Sequence, residues 1–380
     1  GDGIFAGVFA VLGFVPQIMI LFALISLLES SGYMSRIAFI MDRLLSKIGL
    51  NGRSFVTLII SCGCAVPAIM STRTIKNIRE RNSTITLAPM MPCSAKLAIF
   101  AWSTSYIFGG NAWIAVSLYF LSIVVIILGG LVLKLFNRKK QEAGDVFVME
   151  LPTYRAPQWR NVLRESWERG KSFIARAGTI IFASSVVLWF LQSFSFSFVM
   201  VGPDDSILAA LGRVLAPLFV PLGWGEWQFA VASVTGLIAK ETVVTTLEIL
   251  FGTEALAATA MGSNLAAYSF LTFNLLSIPC MAAVSASFRE QGKARNGLFS
   301  MAFQMVTAYV VSLIIYQLGS LETTHASIFW TIIVILIVAV GLFFAIKSLV
   351  KKKSACACGC SGCPVSGTCA SQSARTKNDK

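Results

Sequence analysis

The sequence predicts an all-α, polytopic helical membrane protein with two repeat-related gate regions that contain broken or re-entrant helices. Three observations predict it. Of 380 residues, 56% are hydrophobic and 13% charged, with a mean hydropathy of +0.75, which is too apolar for a surface that meets only water. Apolar stretches of the roughly 20 residues that a spanning helix needs recur at 4–28, 83–108, 112–136, 172–196, 226–251, 297–318 and 326–350. Two further apolar stretches, 54–72 and 269–288, are interrupted by glycine or proline at matching places.

The stretch 4–28 follows Gly1 with no initiator Met and no basic segment before it, so it does not read as a signal peptide. If the basic loop 36–53 is cytoplasmic, this helix runs inward, and a protein with a cytoplasmic N-terminus needs one more helix upstream. The 31 Lys and Arg against 18 Asp and Glu give a net charge of +13, which in a soluble protein would raise the question of nucleic acid. Here the charge sits in loops, so topology accounts for it and no nucleic-acid partner is expected. The clusters at 134–140, 155–176, 289–295 and 347–353 are basic, hence cytoplasmic by the positive-inside rule. The connections 109–111, 202–205 and 320–325 are acidic or nearly neutral, as translocated loops should be. Inside and outside alternate over 83–196 and 297–350, while the parity over 197–290 stays open. The expected organisation is a first membrane half (1–133), a basic cytoplasmic loop (134–171), a second membrane half (172–353) and a Cys-rich cytoplasmic tail (354–380).

The interrupted stretches carry the most informative chemistry. At a constant offset of 216, Ser61 matches Ser277, Cys64 matches Cys280, Ser71 matches Ser287 and Arg73 matches Arg289. A second echo precedes each: Gly32-Tyr33-Met34-Ser35-Arg36 against Gly236-Leu237-Ile238-Ala239-Lys240. Two echoes in the same order point to an internal repeat, against the plainer reading of shared membrane composition. Gly63 between two cysteines and Pro67 three residues after Cys64 both disturb a helix, as does Pro279 in the second stretch. Broken helices at matching positions are the sequence pointer to a midplane substrate site, where unwound carbonyls can coordinate a cation.

Cys64 begins a C-x-x-P element, and a thiolate beside a helix break suits a borderline or soft divalent metal. A buried cysteine otherwise acts as a small hydrophobe, but the matching Cys280 after Pro279 favours a ligand role for this pair. Cys62 and Cys93 have no repeat partner and read as packing. Glu29 and Glu241 are ionisable groups in or at the end of apolar stretches, expensive there and functional by default. Glu241 is the stronger of the two, since Glu29 at the end of its helix can snorkel to the interface. Lys240, next to Glu241, points elsewhere if the two share a helix. The run Pro89-Met90-Met91-Pro92-Cys93-Ser94-Ala95-Lys96 kinks a helix and offers Met91 as a thioether, with gap-filling as its plainer role. Snorkelling would account for Lys96.

The tail carries Cys356, Cys358, Cys360, Cys363 and Cys369 within 354–371. In the cytoplasm such clusters more often bind metal than form disulfides, and this one could hold a metal ion or a small iron–sulfur cluster. No G-x-x-x-x-G-K-[ST] loop occurs, so nucleotide hydrolysis has no seat in these residues. His325 is the only histidine, which removes histidine-rich metal sites and a Ser-His-Asp triad.

The stretches 27–44 (LLESSGYMSRIAFIMDRL), 52–74 (GRSFVTLIISCGCAVPAIMSTRT), 88–102 (APMMPCSAKLAIFAW), 235–247 (TGLIAKETVVTTL) and 278–290 (IPCMAAVSASFRE) resemble the membrane region of the bacterial ferrous iron transport protein B family. The resemblance runs through most of 4–318. It implies that the two broken stretches are paired gate regions with Cys64 and Cys280 as matching pore cysteines. It places Gly63, Pro67, Arg73, Pro279, Arg289 and Lys240 in the gate motifs, and Glu29 and Glu241 on acidic motif positions. It further implies a multi-pass location in the bacterial cytoplasmic (inner) membrane and Fe²⁺ as the transported ion. GTP and Mg²⁺ belong to an N-terminal domain of that family that these residues do not contain. The implied partners are the lipid bilayer, Fe²⁺, small cytoplasmic accessory proteins of the ferrous iron system and a second copy of the chain.

The leading reading is therefore a transporter, not an enzyme, passing Fe²⁺ between two gates while the tail receives metal. A permease for a nucleoside-like organic solute keeps the fold and changes the substrate. A membrane redox protein with a tail-bound cluster forms a third class, and a scaffold whose cysteines merely pack is the blandest of the four.

Overall fold

The computed structural model of the chain describes residues 2–137, 158–173, 178–194, 206–251 and 260–320. The apolar stretch 326–350, the loop 202–205, His325, most of the basic segment and all five tail cysteines lie outside the described residues. Among the described residues the regular structure is helical, with no β-strand.

The first half runs through α1 (Asp2–Ser30), α2 (Tyr33–Ile48), α3 (Gly52–Gly63), α4 (Ala65–Ser71), α5 (Ile78–Leu87), α6 (Ser94–Tyr106) and α7 (Trp113–Asn137). There follow α8 (Trp159–Phe173), α9 (Thr179–Ser193) and α10 (Ile207–Phe219). The second half continues with α11 (Trp227–Thr235), α12 (Thr242–Phe251), α13 (Asn264–Leu276), α14 (Met281–Gln291) and α15 (Ala294–Gly319). Among the described residues, four segments are long and apolar enough to cross a membrane: Ile78–Tyr106, Trp113–Leu135, Asn264–Gln291 and Ala294–Gly319. Two sharply bent pairs, Ile18–Ser30 with Tyr33–Ile48 (77°) and Ile207–Leu222 with Trp227–Thr235 (102°), bring the number to six if each is one span. The chain is a multi-pass helical membrane protein.

The breaks follow from where the prolines stand. A proline in a helix has no N–H for the carbonyl four residues back, and its ring clashes with that carbonyl. Pro67 therefore ends α3 at Gly63 and becomes an early residue of α4, where its missing N–H costs nothing. Pro279 acts likewise on Leu275, so α13 stops at Leu276 and α14 restarts at Met281. Cys64 and Cys280 thus hold the same station, the residue just before the second helix of each broken pair. At the offset of 216, the first residue of α5, Ile78, falls on the first of α15, Ala294.

Three expectations need correction. The stretch 226–251 is not one helix: α11 ends at Thr235, residues 236–241 turn, and α12 starts at Thr242. Hydroxyls add bonds to carbonyls there that also accept backbone N–H groups, Thr235 Oγ1 donating to Ala232 O (2.9 Å) and Thr242 Oγ1 to Ala239 O (2.7 Å), the local competition that weakens threonine in helices. The stretch 83–108 is likewise split, between α5 and α6, by a 3₁₀ turn at Ala88–Met90 and by Pro92. Within 134–171, read as a loop, 159–173 forms α8, which packs Val162 and Ser166 inward and bonds through Glu165 to Ser26 of α1 (2.7 Å).

Apolar contact between helices gains little where the surroundings are also apolar, so short hydroxyls and close packing carry much of the association. Ser269 and Ser312 exchange hydrogen bonds with each other's carbonyls (3.3 and 3.1 Å), joining α13 to α15. Thr86 meets Ser300 (2.7 Å), and Gln304 donates to Thr86 O (2.9 Å), tying α5 in the first half to α15 in the second. An aromatic cluster of Phe219, Trp224, Phe229, Phe270 and Phe273 seats the α10–α11 bend against α13, with Phe219 stacked on Trp224 at 4.4 Å.

Candidate functional site

All four interruptions open onto one cavity of about 280 Å³. The α3–α4 break contributes Gly63 and Cys64, and the α13–α14 break contributes Pro279 and Cys280. The α5–α6 break adds Pro89, Cys93, Ser94 and Lys96, and the α11–α12 link adds Ile238, Lys240 and Glu241. Residues of α1 between Ile18 and Leu24 close one side. Helices end here because of the prolines and threonines described above, so the same sequence features that break the spans also aim polar groups into the space between them.

Cys64 and Cys280 are free thiols that pack on one apolar cluster with Phe22, Ile69, Ile85 and Ala283. Glu241 is half-buried on the cavity wall. Lys240 and Lys96 are each only 2% exposed. Lys240 Nζ donates to Ser277 Oγ at 2.9 Å, which engages one of the repeat-matched serines. The other, Ser61, donates to Ala88 O at 2.5 Å, holding α3 to the α5–α6 break. Among the described residues, no three His, Cys, Asp or Glu side chains converge closely enough to cage a metal ion. The cavity therefore offers separate soft and acidic ligands, not a closed metal centre.

The sequence-predicted residues divide cleanly. Cys64, Cys280, Glu241, Gly63, Pro279 and Lys240 line the cavity. Pro67 sits behind the lining as the cause of the break. Glu29 is not among the lining residues: it accepts from Arg169 of α8 at 2.8 Å, so its charge is met at the end of α1. Met91 contributes its backbone carbonyl, which Lys96 Nζ approaches at 3.4 Å, and its thioether is not in the lining. Arg73 and Arg289 are also absent from the lining. Arg73 instead forms a two-pronged ion pair with Glu290, which Arg81 also reaches at 2.7 Å. Lys240 and Glu241 do not share a helix, since both lie in the α11–α12 link. The echo between Arg36 and Lys240 ends at this point, because Arg36 is on α2.

Sequence reasoning missed three residues. Cys93 lines the cavity although it has no repeat partner. Lys96 is buried at its ammonium end and does not snorkel, since three backbone carbonyls hold it. Glu290 was visible only as the residue after Arg289. The signal that could have found Lys96 is its place seven residues after Pro89, within reach of carbonyls that prolines leave without donors.

The family model described as "Gate: Nucleoside recognition" matches residues 11–106 and 174–294, which include every lining residue of the cavity. The model described as "Ferrous iron transport protein B C terminus" matches residues 115–169 between them. The chain belongs to the ferrous iron transport protein B family, as its gate-type membrane region. Among relatives of that family, the Fe(2+) transporter FeoB of Staphylococcus aureus strain COL is 42% identical over 325 residues, covering 84% of this chain and 49% of its own. The Fe(2+) transporter FeoB of Methanocaldococcus jannaschii is 38% identical over 334 residues, again 84% of this chain and 49% of its own. That of Escherichia coli strain K12 is 36% identical over an alignment of 426 positions, covering 94% of this chain and 55% of its own. The chain thus spans about half the length of these relatives. No solved structure matches it.

Proposed function

We propose that the chain forms the pathway by which Fe²⁺ crosses a membrane, and that the cavity between the four breaks is the station where the ion is held in transit. The observation that carries this is the convergence of Cys64, Cys280, Cys93 and Glu241 on one cavity walled by interrupted helices. Ferrous ion accepts both sulfur and oxygen donors, so thiolates from the two repeat-related breaks and the Glu241 carboxylate could replace part of its water. A transported ion must bind well enough to enter and weakly enough to leave. Scattered ligands completed by water meet that condition better than a closed cage. The names of relatives that align over 84% of the chain support iron as the cargo over a nucleoside-like solute.

In this reading the two cysteine stations act as paired gates facing the cavity, and Glu241 draws the cation toward them. The basic ends of the helices face the cytoplasm of a bacterial inner membrane. The tail cysteines Cys356, Cys358, Cys360, Cys363 and Cys369 capture emerging metal there. GTP-dependent coupling, small cytoplasmic accessory proteins and self-association belong to the whole protein's activity.

The deciding measurement is Fe²⁺ uptake under anaerobic conditions in cells that express the protein with Cys64→Ser and Cys280→Ser. Uptake is expected to fall severalfold while the amount of protein in the membrane is unchanged. Uptake at the parent level with both substitutions would remove these thiols from the mechanism. Inhibition by nucleosides and not by competing divalent metals would favour the organic substrate. Anaerobic metal analysis of the full chain beside a form ending at residue 353 separates the tail: the shortened form is expected to retain less iron, and equal content would rule out metal capture by the tail.

A further inference from the structure

Prolines strip the backbone donors from two carbonyls that lie on opposite halves of the molecule. Leu275 O, near the end of α13, would bond the N–H of residue 279 in a continued helix, and residue 279 is proline. Pro89 O, in the 3₁₀ turn Ala88–Met90, would bond the N–H of residue 92, also proline. Both oxygens instead receive the Lys96 ammonium, at 2.6 Å from Leu275 O and 2.8 Å from Pro89 O, with Met91 O at 3.4 Å. None of these partners is a carboxylate. The Leu275 oxygen also lies at the negative end of a helix dipole.

Two or three convergent carbonyls beside a cavity, one of them at a helix C-terminus, supply the core of a donor set for a monovalent cation, with water completing it. We propose that this carbonyl cluster is such a site, and that the Lys96 ammonium is its permanently tethered occupant. An ammonium group and a potassium ion are close in size, and both are satisfied by carbonyl oxygens. Lys96 has three donors and no acceptor, so it fills the cluster without adding a ligand to the cavity. It also pins the α5–α6 break of the first half to α13 of the second.

A consequence follows for selection among ions, and this part rests on the iron pathway proposed above. Hard cations such as Mg²⁺, Ca²⁺ and K⁺ take oxygen ligands. With the proline-freed carbonyls already filled, an ion entering the cavity finds mainly thiol and carboxylate donors there, a set that favours a borderline metal.

The test is occupancy, and it does not involve iron. In nanodiscs, the full chain with Lys96→Ala is titrated with KCl, NH₄Cl and choline chloride while thermal unfolding is followed. Any ligand that binds only the folded state raises the unfolding temperature in a saturable way. The variant is expected to gain several degrees from K⁺ and NH₄⁺ over choline, whereas the parent chain should respond to all three salts alike. An equal response of variant and parent to the three salts overturns the proposal. Should Lys96→Ala not fold, Lys96→Met keeps most of the apolar stem but removes the donors from these carbonyls, and the same titration decides. A folded methionine variant indifferent to K⁺ and NH₄⁺ also sinks the idea. Failure here with Fe²⁺ uptake intact would leave the iron pathway standing, and loss of the iron reading would leave the tethered-cation site to be judged by this titration alone.

Discussion

Glu290→Gln is expected to destabilise the folded chain by about 2–3 kcal/mol, a loss read as a lower unfolding temperature in detergent. Glu290 is the hub of an ion network that joins the two halves. Its carboxylate takes a two-pronged interaction from Arg73, which follows α4, and a 2.7 Å bond from Arg81 in α5, while its backbone carbonyl accepts a second bond from Arg81 at 2.8 Å. The carboxylate is 4% exposed, so few waters could replace the arginines, and breaking a buried pair from one side costs about 3–5 kcal/mol. The arginines are less enclosed, at 53% for Arg73 and 24% for Arg81, and water can recover part of their charge once the partner is gone. That exposure places the expected value below the range for fully buried pairs. It also ranks the partners: Arg81→Gln should cost more than Arg73→Gln, because Arg81 is deeper and holds the carbonyl as well. A double-mutant cycle between Arg81 and Glu290 isolates the shared part, expected at about 1–2 kcal/mol. Additivity of the two single losses would show that the network does not couple the halves.

Much of the architecture was legible because lipid imposes few options. Apolar runs of spanning length located α7 and α15 almost to their ends. Proline located the α3–α4 and α13–α14 breaks, since its effect is local and independent of packing. The α11–α12 break was not legible, because no proline marks it. Gly236 and flanking threonines interrupt the helix only when their hydroxyls find carbonyls to bond, as Thr242 does at Thr235 O and Ala239 O. The helix α8 was hidden by its charge: a polar segment reads as loop until it meets α1, where Glu165 accepts from Ser26 while Val162 and Ser166 are buried. At the candidate site, repeat matching found Cys64 and Cys280 but dismissed Cys93, whose break has no counterpart in the unbroken α15. Glu29 misled because its partner, Arg169, lies 140 residues away and no pattern connects them.

Gly52→Ala is expected to cost about 3 kcal/mol or more, at the upper end of what overpacking does. Gly52 is the first residue of α3 and lies against α2. Its N–H donates to Asp42 Oδ1 at 2.7 Å, which draws the two helices together at this point. A Cβ here would stand 2.0 Å from the Ala38 carbonyl oxygen and 2.9 Å from Asp42 Cβ. The first is a backbone atom inside α2 and cannot swing aside, so the α2–α3 pair has to separate. Alanine's better helix propensity returns at most about 1 kcal/mol, too little to offset the overlap. Gly63→Ala, at the other end of the same helix, is the control. Its added Cβ meets only Leu21 Cδ1 at 2.8 Å, the tip of a side chain that can rotate, and the expected cost is under about 1 kcal/mol. Thermal unfolding of the two variants side by side checks the contrast, and equal losses would overturn it. Because α3 ends at the break that presents Cys64, a displaced α2–α3 pair moves that thiol relative to Cys280. On the proposed iron pathway, Gly52→Ala should therefore also reduce Fe²⁺ uptake per folded molecule.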